Sequence, residues 1–325
     1  MILDFADTCW THADADWQRS LIELLVLVKR YESHSVLAAP KVMLPWCEER
    51  LGLFTEYFRA RLAAAQPRTN ALKIMVSPTG VASPAGAPPW TLHAEAVTDL
   101  ISRPLRLVLE NDESDRRFLE STIPSFSSWC SRGWVEPVMG GGSPMGGKIK
   151  AAGTDVVAMW RTFFVFDSDR LHPSELAAGW APPGRDSCQG HQFETACAAI
   201  PRERWHRLER RSIENYLPAS VLQPLDATLV SALFSPAVGS MAHFYNMKHG
   251  LRGDGVSPVN PNKVARAGRS RGVWMALPAA YVAALESGFG ADVADEFGNV
   301  PTNHSWPSTV AAEMSLLADA LQDAM

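Results

Sequence analysis

The chain has 325 residues, 46% of them hydrophobic and 20% charged, with a formal net charge of −5. That length supports roughly two or three domains with a sizeable core, and the composition is ordinary for a globular enzyme. The net acidity excludes a global electrostatic pull on nucleic acid, so a polyanion partner would need a local basic surface or bound metal ions.

Taken in order, residues 1–66 read as helical. Residues 17–31 carry Leu21, Leu24, Leu25 and Val28 at helical spacing, and residues 42–65 give a second stripe broken by Gly52. Residues 72–76 suit one short strand, and 77–89 (SPTGVASPAGAPP) read as a loop or linker and the main domain boundary. Residues 91–101 suit a helix. An apolar strand at 105–109 ends in Glu110, an acidic turn spans 111–114, and Asp115 opens a helix with Phe118 and Leu119 inward. A strand at 133–139 leads into GGGSPMGG at 140–147 and a helix at 148–160. The glycine-rich turn is not a nucleotide-binding P-loop, because Lys148 is followed by Ile149 rather than Ser or Thr. A flexible turn is the plainer reading, with backbone N–H groups touching a phosphate as the milder alternative.

A strand at 163–166 ends in Asp167-Ser168-Asp169. Residues 179–192 are loop-like, and 204–213 read as a strand ending at Glu214-Asn215-Tyr216. Beyond Pro218 the chain is helical again at 219–233, 240–247, 277–285 and 308–324. This order predicts an α/β fold with a largely parallel sheet flanked by helices, between helical N-terminal and C-terminal regions. The expected division is 1–100, 101–218 and 219–325, with the helical unit at 1–66 serving assembly or substrate choice.

The chemistry concentrates where strands end. Open α/β sheets place their sites at the carboxyl ends of strands. Asp167 and Asp169 face one way if strand geometry persists to the end of that segment. Carboxylates converging with Glu110 would repel one another without a cation, and hard oxygen ligands suit Mg²⁺ or Mn²⁺. Each residue also has a plainer reading. Glu110 can be a helix-cap acid, the Asp-x-Asp a capped turn, Glu214 a partner of Arg210 or Arg211, and Lys248 a helix-dipole partner.

These segments resemble a Toprim domain, which has a Glu after its first strand and an Asp-x-Asp after a later one. The closer resemblance is to the overcoming-lysogenization-defect nucleases and related standalone Toprim proteins of phage defence. Their first motif, Glu-Gly-x-Ser-Asp before a Phe-Leu helix, is matched by Glu110-Asn111-Asp112-Glu113-Ser114-Asp115 before Phe118-Leu119. The Gly is Asn111 here, and one extra residue precedes Ser114-Asp115, so Glu110 is a firmer ligand than Asp115. Residues 208–217 (LERRSIENYL) resemble the family's Ile-Glu-Asn-Tyr segment, and 244–251 (FYNMKHGL) its late lysine segment. The resemblance implies a nuclease with Glu110, Asp115, Asp167, Asp169 and Glu214 around a pair of Mg²⁺ or Mn²⁺ ions and Lys248 on the transition state. It also implies an anti-phage role and control by an ATPase; this chain has no Walker motif, so the ATPase would be a separate subunit. Homo-oligomers are compatible with the sequence, which does not choose between DNA and RNA. An inert Toprim module that acts by binding, and an RNA-processing enzyme on the same site, are the alternatives.

Basic charge clusters late, at Lys248, Arg252, Lys263, Arg266, Arg269 and Arg271, with Asp254 the one acid among them. This is either a solvated loop or a grip on nucleic-acid phosphates beside the metal site. Cys9, Cys47, Cys130, Cys188 and Cys197 are odd in number and lack Cys-x-x-Cys spacing, which favours a reduced, cytoplasmic setting. Acidic residues crowd the amino end in place of a secretory leader, and no apolar run is long enough to span a membrane.

Overall fold

The computed structural model describes residues 1–64, 71–183, 187–254 and 268–325, with backbone alone at 268 and 269. The fold is α/β, as expected, but it carries two parallel four-stranded sheets. The first, in order β2-β1-β3-β4, is built from β1 (Ile2–Phe5), β2 (Ser35–Leu37), β3 (Lys73–Val81) and β4 (Trp90–Leu92). The second, in order β6-β5-β7-β8, is built from β5 (Leu105–Leu109), β6 (Val135–Met139), β7 (Thr162–Phe166) and β8 (Trp205–Arg207).

The amino-terminal region is therefore not helical alone. Its predicted helices are present: Ala15–Tyr31 buries Leu21, Leu24, Leu25 and Val28, and Asp14 caps it by accepting from the Trp17 N–H at 2.8 Å. The helices Pro40–Arg50 and Thr55–Ala64 follow. What helical periodicity could not show is β1 and β2, which are four and three residues long. β1 sits between β2 and β3, so removing residues 1–66 would strip two strands from the sheet.

Residues 77–89 are likewise not an interdomain linker. Ser77–Val81 belongs to β3, and Val81 pairs with Leu92 of the neighbouring strand. Gly80 is needed there, since a Cβ would lie 2.1 Å from the Leu92 carbonyl carbon. The Gly, Pro and Ser content reflects this close approach and the short connection to β4.

In the second sheet, strand alternation divides the side chains between two cores. Leu105, Leu107, Leu109, Phe163 and Val165 join the large carboxy-terminal core with Phe118, Leu119 and Tyr216. Val108, Phe164 and Phe166 face the other way, against Met145, Ile149 and Phe193. The helix expected at 148–160 starts earlier, as Gly142–Ala152, with Pro144 in its first turn where no N–H is needed. It breaks at Gly153–Asp155, and Asp155 caps a second helix, Val156–Arg161, by accepting from the Ala158 N–H at 2.7 Å. The strand expected at 204–213 is only Trp205–Arg207, because the chain then turns to carry Glu214. The helix expected at 240–247 is the 3₁₀ segment Gly239–Phe244, while Ser308–Ala324 is the long helix expected at the carboxy end.

A candidate acidic metal centre

β5 and β7 are parallel neighbours, with Leu107 beside Phe163 and Val108 beside Phe164. Glu110 and Asp167 leave their carboxyl ends side by side. The link is direct: the Asp167 N–H donates to Glu110 Oε1 at 2.9 Å. Strand geometry does not persist beyond Phe166. Asp169 has φ +53°, a left-handed conformation uncommon outside glycine, so the alternation expected for Asp167 and Asp169 does not hold. Asp167 Oδ1 accepts from the Ile213 N–H at 3.1 Å, whereas Asp169 Oδ2 accepts from the Gly190 N–H at 2.9 Å. The two acids are fixed by two different backbone segments.

Glu214 lies on the 3₁₀ turn Ile213–Tyr216, whose start is closed by a reciprocal Ser212–Asn215 cap. It is buried, and Lys248 Nζ meets its Oε1 at 2.8 Å. The alternative pairing with Arg210 or Arg211 is not made. Arg211 instead forms a forked ion pair with Asp254, and Arg210 Nη1 donates to the Asn215 carbonyl. Asp115, in the first turn of its helix, reaches back to the preceding turn and accepts from the Asn111 N–H at 3.0 Å. Asn111 Oδ1 in turn accepts from the Glu113 N–H at 3.0 Å, so the longer first motif is a closed turn.

The acids lie close enough to bear on one another's ionisation. Burial, then Asp169, pushes the Glu110 pKa up to about 8, while the Asp167 N–H works against the rise. Burial and Glu214 push Asp115 up to about 7. Asp167 is held well above the carboxylate range by burial and by Glu110, Glu214, Asp115 and Asp169. Burial works against the Lys248 charge, but Glu214, Asp167 and Asp115 outweigh it and raise its pKa. Such a set of oxygen donors, short of positive charge, fits a hard divalent cation. Among the described residues, no three Asp, Glu, His or Cys side chains form a ready-made cage.

Lys263 and Arg266 lie outside the described residues, as does the Arg269 side chain. Arg271 stands on the helix Gly268–Met275 and is partly buried.

Sequence reasoning missed three supports. Ser168 is fully buried and donates to the Arg210 carbonyl at 2.7 Å, tying the Asp-x-Asp turn to the Glu214 segment. Gly140 and Gly141 press the glycine-rich turn against the end of β5, with the Gly141 N–H donating to the Glu110 carbonyl at 3.0 Å. At Gly190 a Cβ would lie 2.3 Å from the Ser168 carbonyl oxygen and 2.6 Å from that of Asp167. Only the glycines of the first turn carried a visible sequence signal. Gly190→Ala should push the helix Gln189–Ala196 off the Asp167–Asp169 turn. We expect a loss of about 2 kcal/mol or more in urea unfolding, from steric overlap with rigid backbone. Unfolding at wild-type urea concentrations would show that the contact is soft.

No protein family, curated protein or solved structure matches the chain. All five cysteines are free thiols, and among the described residues no helix is long and apolar enough to cross a membrane.

Proposed function

We propose that the chain is a metal-dependent nuclease that hydrolyses phosphodiester bonds, acting in the cytoplasm. The observation that carries this reading is the junction of Glu110 with the Asp167 backbone at the ends of two parallel strands, ringed by Asp115, Asp169 and Glu214. Glu110, Asp167 and Asp169 would hold Mg²⁺ or Mn²⁺, with Asp115 and Glu214 as further donors. Such ions lower the pKa of a bound water and offset charge on the leaving oxygen. The protein's own part is positional. The Asp167 and Gly190 amides fix Glu110 and Asp169, and the Ile213 amide fixes Asp167. Lys248, anchored on Glu214, offers a positive charge to a phosphate placed against the acids. Control by a separate ATPase subunit and a role in phage defence rest on the Toprim resemblance.

The test is a cleavage assay on labelled DNA and RNA with Mg²⁺, Mn²⁺ or EDTA. Divalent-dependent cutting supports the reading, and preference for RNA would make it an RNA-processing enzyme. Binding without cutting under every condition would favour an inert module instead.

Lys248→Ala should slow cleavage about 100-fold, the usual cost of one electrostatic stabiliser. It also strands Glu214, whose side chain is 3% exposed against 44% for the lysine. The stability loss should be about 1–3 kcal/mol, below that of a fully buried pair because the lysine is half in water. Adding Glu214→Gln should restore melting temperature without restoring cleavage. A double variant that regains activity would show Lys248 to be structural only.

A further inference from the structure

Behind Lys248 lies an open cleft of about 450 Å³, lined by Lys248, His249, Arg252, Gly253, Ser287, Gly288 and Gly290. Its walls are two backbone segments pressed together. The Leu251 and Arg252 N–H groups donate to the carbonyls of Leu285 and Glu286 at 3.0 and 3.1 Å, and Phe289 N–H donates to Met247 at 2.7 Å. Glycines permit the contact: a Cβ at Gly288 would lie 2.4 Å from the Met247 oxygen, and one at Gly250 would lie 2.5 Å from the Ser287 carbonyl carbon. Among the described residues, the charged side chains that line the cleft are cationic. Glu286 flanks it, with its side chain 17% exposed and its Oε1 3.5 Å from Arg252 Nε. The Arg252 side chain is 61% exposed.

Lys248 belongs to both spaces. It touches Glu214 of the acidic cluster at 2.8 Å and lines the cleft on its other side. We propose that this cleft binds the backbone phosphate next to the one held at the acidic cluster, with Arg252 and His249 gripping a nucleic-acid strand. The inference rests on the nuclease reading for the occupant of the acidic cluster. A strand laid with one phosphate against those acids would carry its neighbour past Lys248 into the cleft. Arginine and lysine on phosphate position a strand without reading its bases, so the grip is sequence-independent. Lys248 and Arg252 are the first two members of the basic cluster singled out in the sequence, and the cleft is where the structure places them.

The test is fluorescence anisotropy of fluorescein-labelled single-stranded DNA and RNA on the full chain in EDTA, where nothing is cut. Arg252→Glu should weaken binding about tenfold at low salt and flatten the log–log salt slope by about one, while Arg252→Lys keeps most of both. The tighter of the two strands identifies the sugar. Wild-type binding to Arg252→Glu at every salt concentration would overturn the proposal, and so would a wild-type chain that binds neither strand. The two readings fail separately. A wild-type protein that loses binding through Arg252→Glu but never cuts with Mg²⁺ or Mn²⁺ keeps the cleft and loses the nuclease. One that cuts, with an Arg252→Glu variant that binds normally, keeps the nuclease and loses the cleft.

Discussion

Asp167→Ala should reduce cleavage by about a thousandfold while oligonucleotide binding stays the same or tightens. The rate loss corresponds to about 4 kcal/mol of transition-state charge stabilisation, the scale on which a divalent ion acts on a phosphoryl group. Binding is expected to survive because the Asp167 carboxyl gives phosphate no positive partner, so its removal can only relieve repulsion. The side chain accepts one backbone hydrogen bond, from Ile213, so its loss frees that amide without emptying a core position. Single-turnover cleavage beside anisotropy in EDTA separates the two effects. A variant that cuts at the wild-type rate removes Asp167 from the chemistry. One that cuts slowly only because it no longer binds makes it a structural residue.

The second large effect is on stability against pH. Without metal, Glu110 and Asp115 have folded pKa values of about 8 and about 7, against ordinary values of 4.5 and 3.8. Asp167 is raised as well. Between the ordinary and folded values, up to about pH 7 for Asp115 and about pH 8 for Glu110, the unfolded chain releases protons that the folded chain retains. The slope of unfolding free energy with pH is negative in that window, on the order of 1.4 kcal/mol per pH unit for each group. The metal-free protein should be most stable near the acidic end and lose melting temperature steadily toward pH 8. Mg²⁺ or Mn²⁺ should flatten that decline, since ligand binding to the folded state alone stabilises it and displaces these protons. A melting temperature in EDTA that rises from pH 5 to 8 would mean the acids are already neutralised within the protein.

Much of this site was legible before folding, and the limits have physical causes. An apolar run ending in an acid marks a buried strand end, and two such runs gave Glu110 and Asp167 as neighbours. Their adjacency follows from parallel pairing with a helical crossover. Asp169 was placed on the right turn but in the wrong direction, because a left-handed φ at a non-glycine residue leaves no mark in sequence. Gly190 was invisible for a related reason. Its need comes from a carbonyl more than 20 residues away in the chain, and spacing carries no such information. The first sheet was missed because β2 and β4 are three residues long and β1 only four, too short for alternation to stand out. The pairing of Glu214 with Lys248, rather than with the adjacent arginines, depends on how Asp254 occupies Arg211.

The central claim is that these carboxylates form a divalent-metal site. Isothermal titration of Mn²⁺ into the full chain at pH 7, repeated in two buffers of different ionisation enthalpy, tests it most directly. The account predicts saturable binding with release of protons, since Glu110, Asp115 and Asp167 must ionise to bind, and its loss or severe weakening in Asp167→Ala. Mn²⁺ binding that is absent, or that persists unchanged in Asp167→Ala with no proton release, would contradict it.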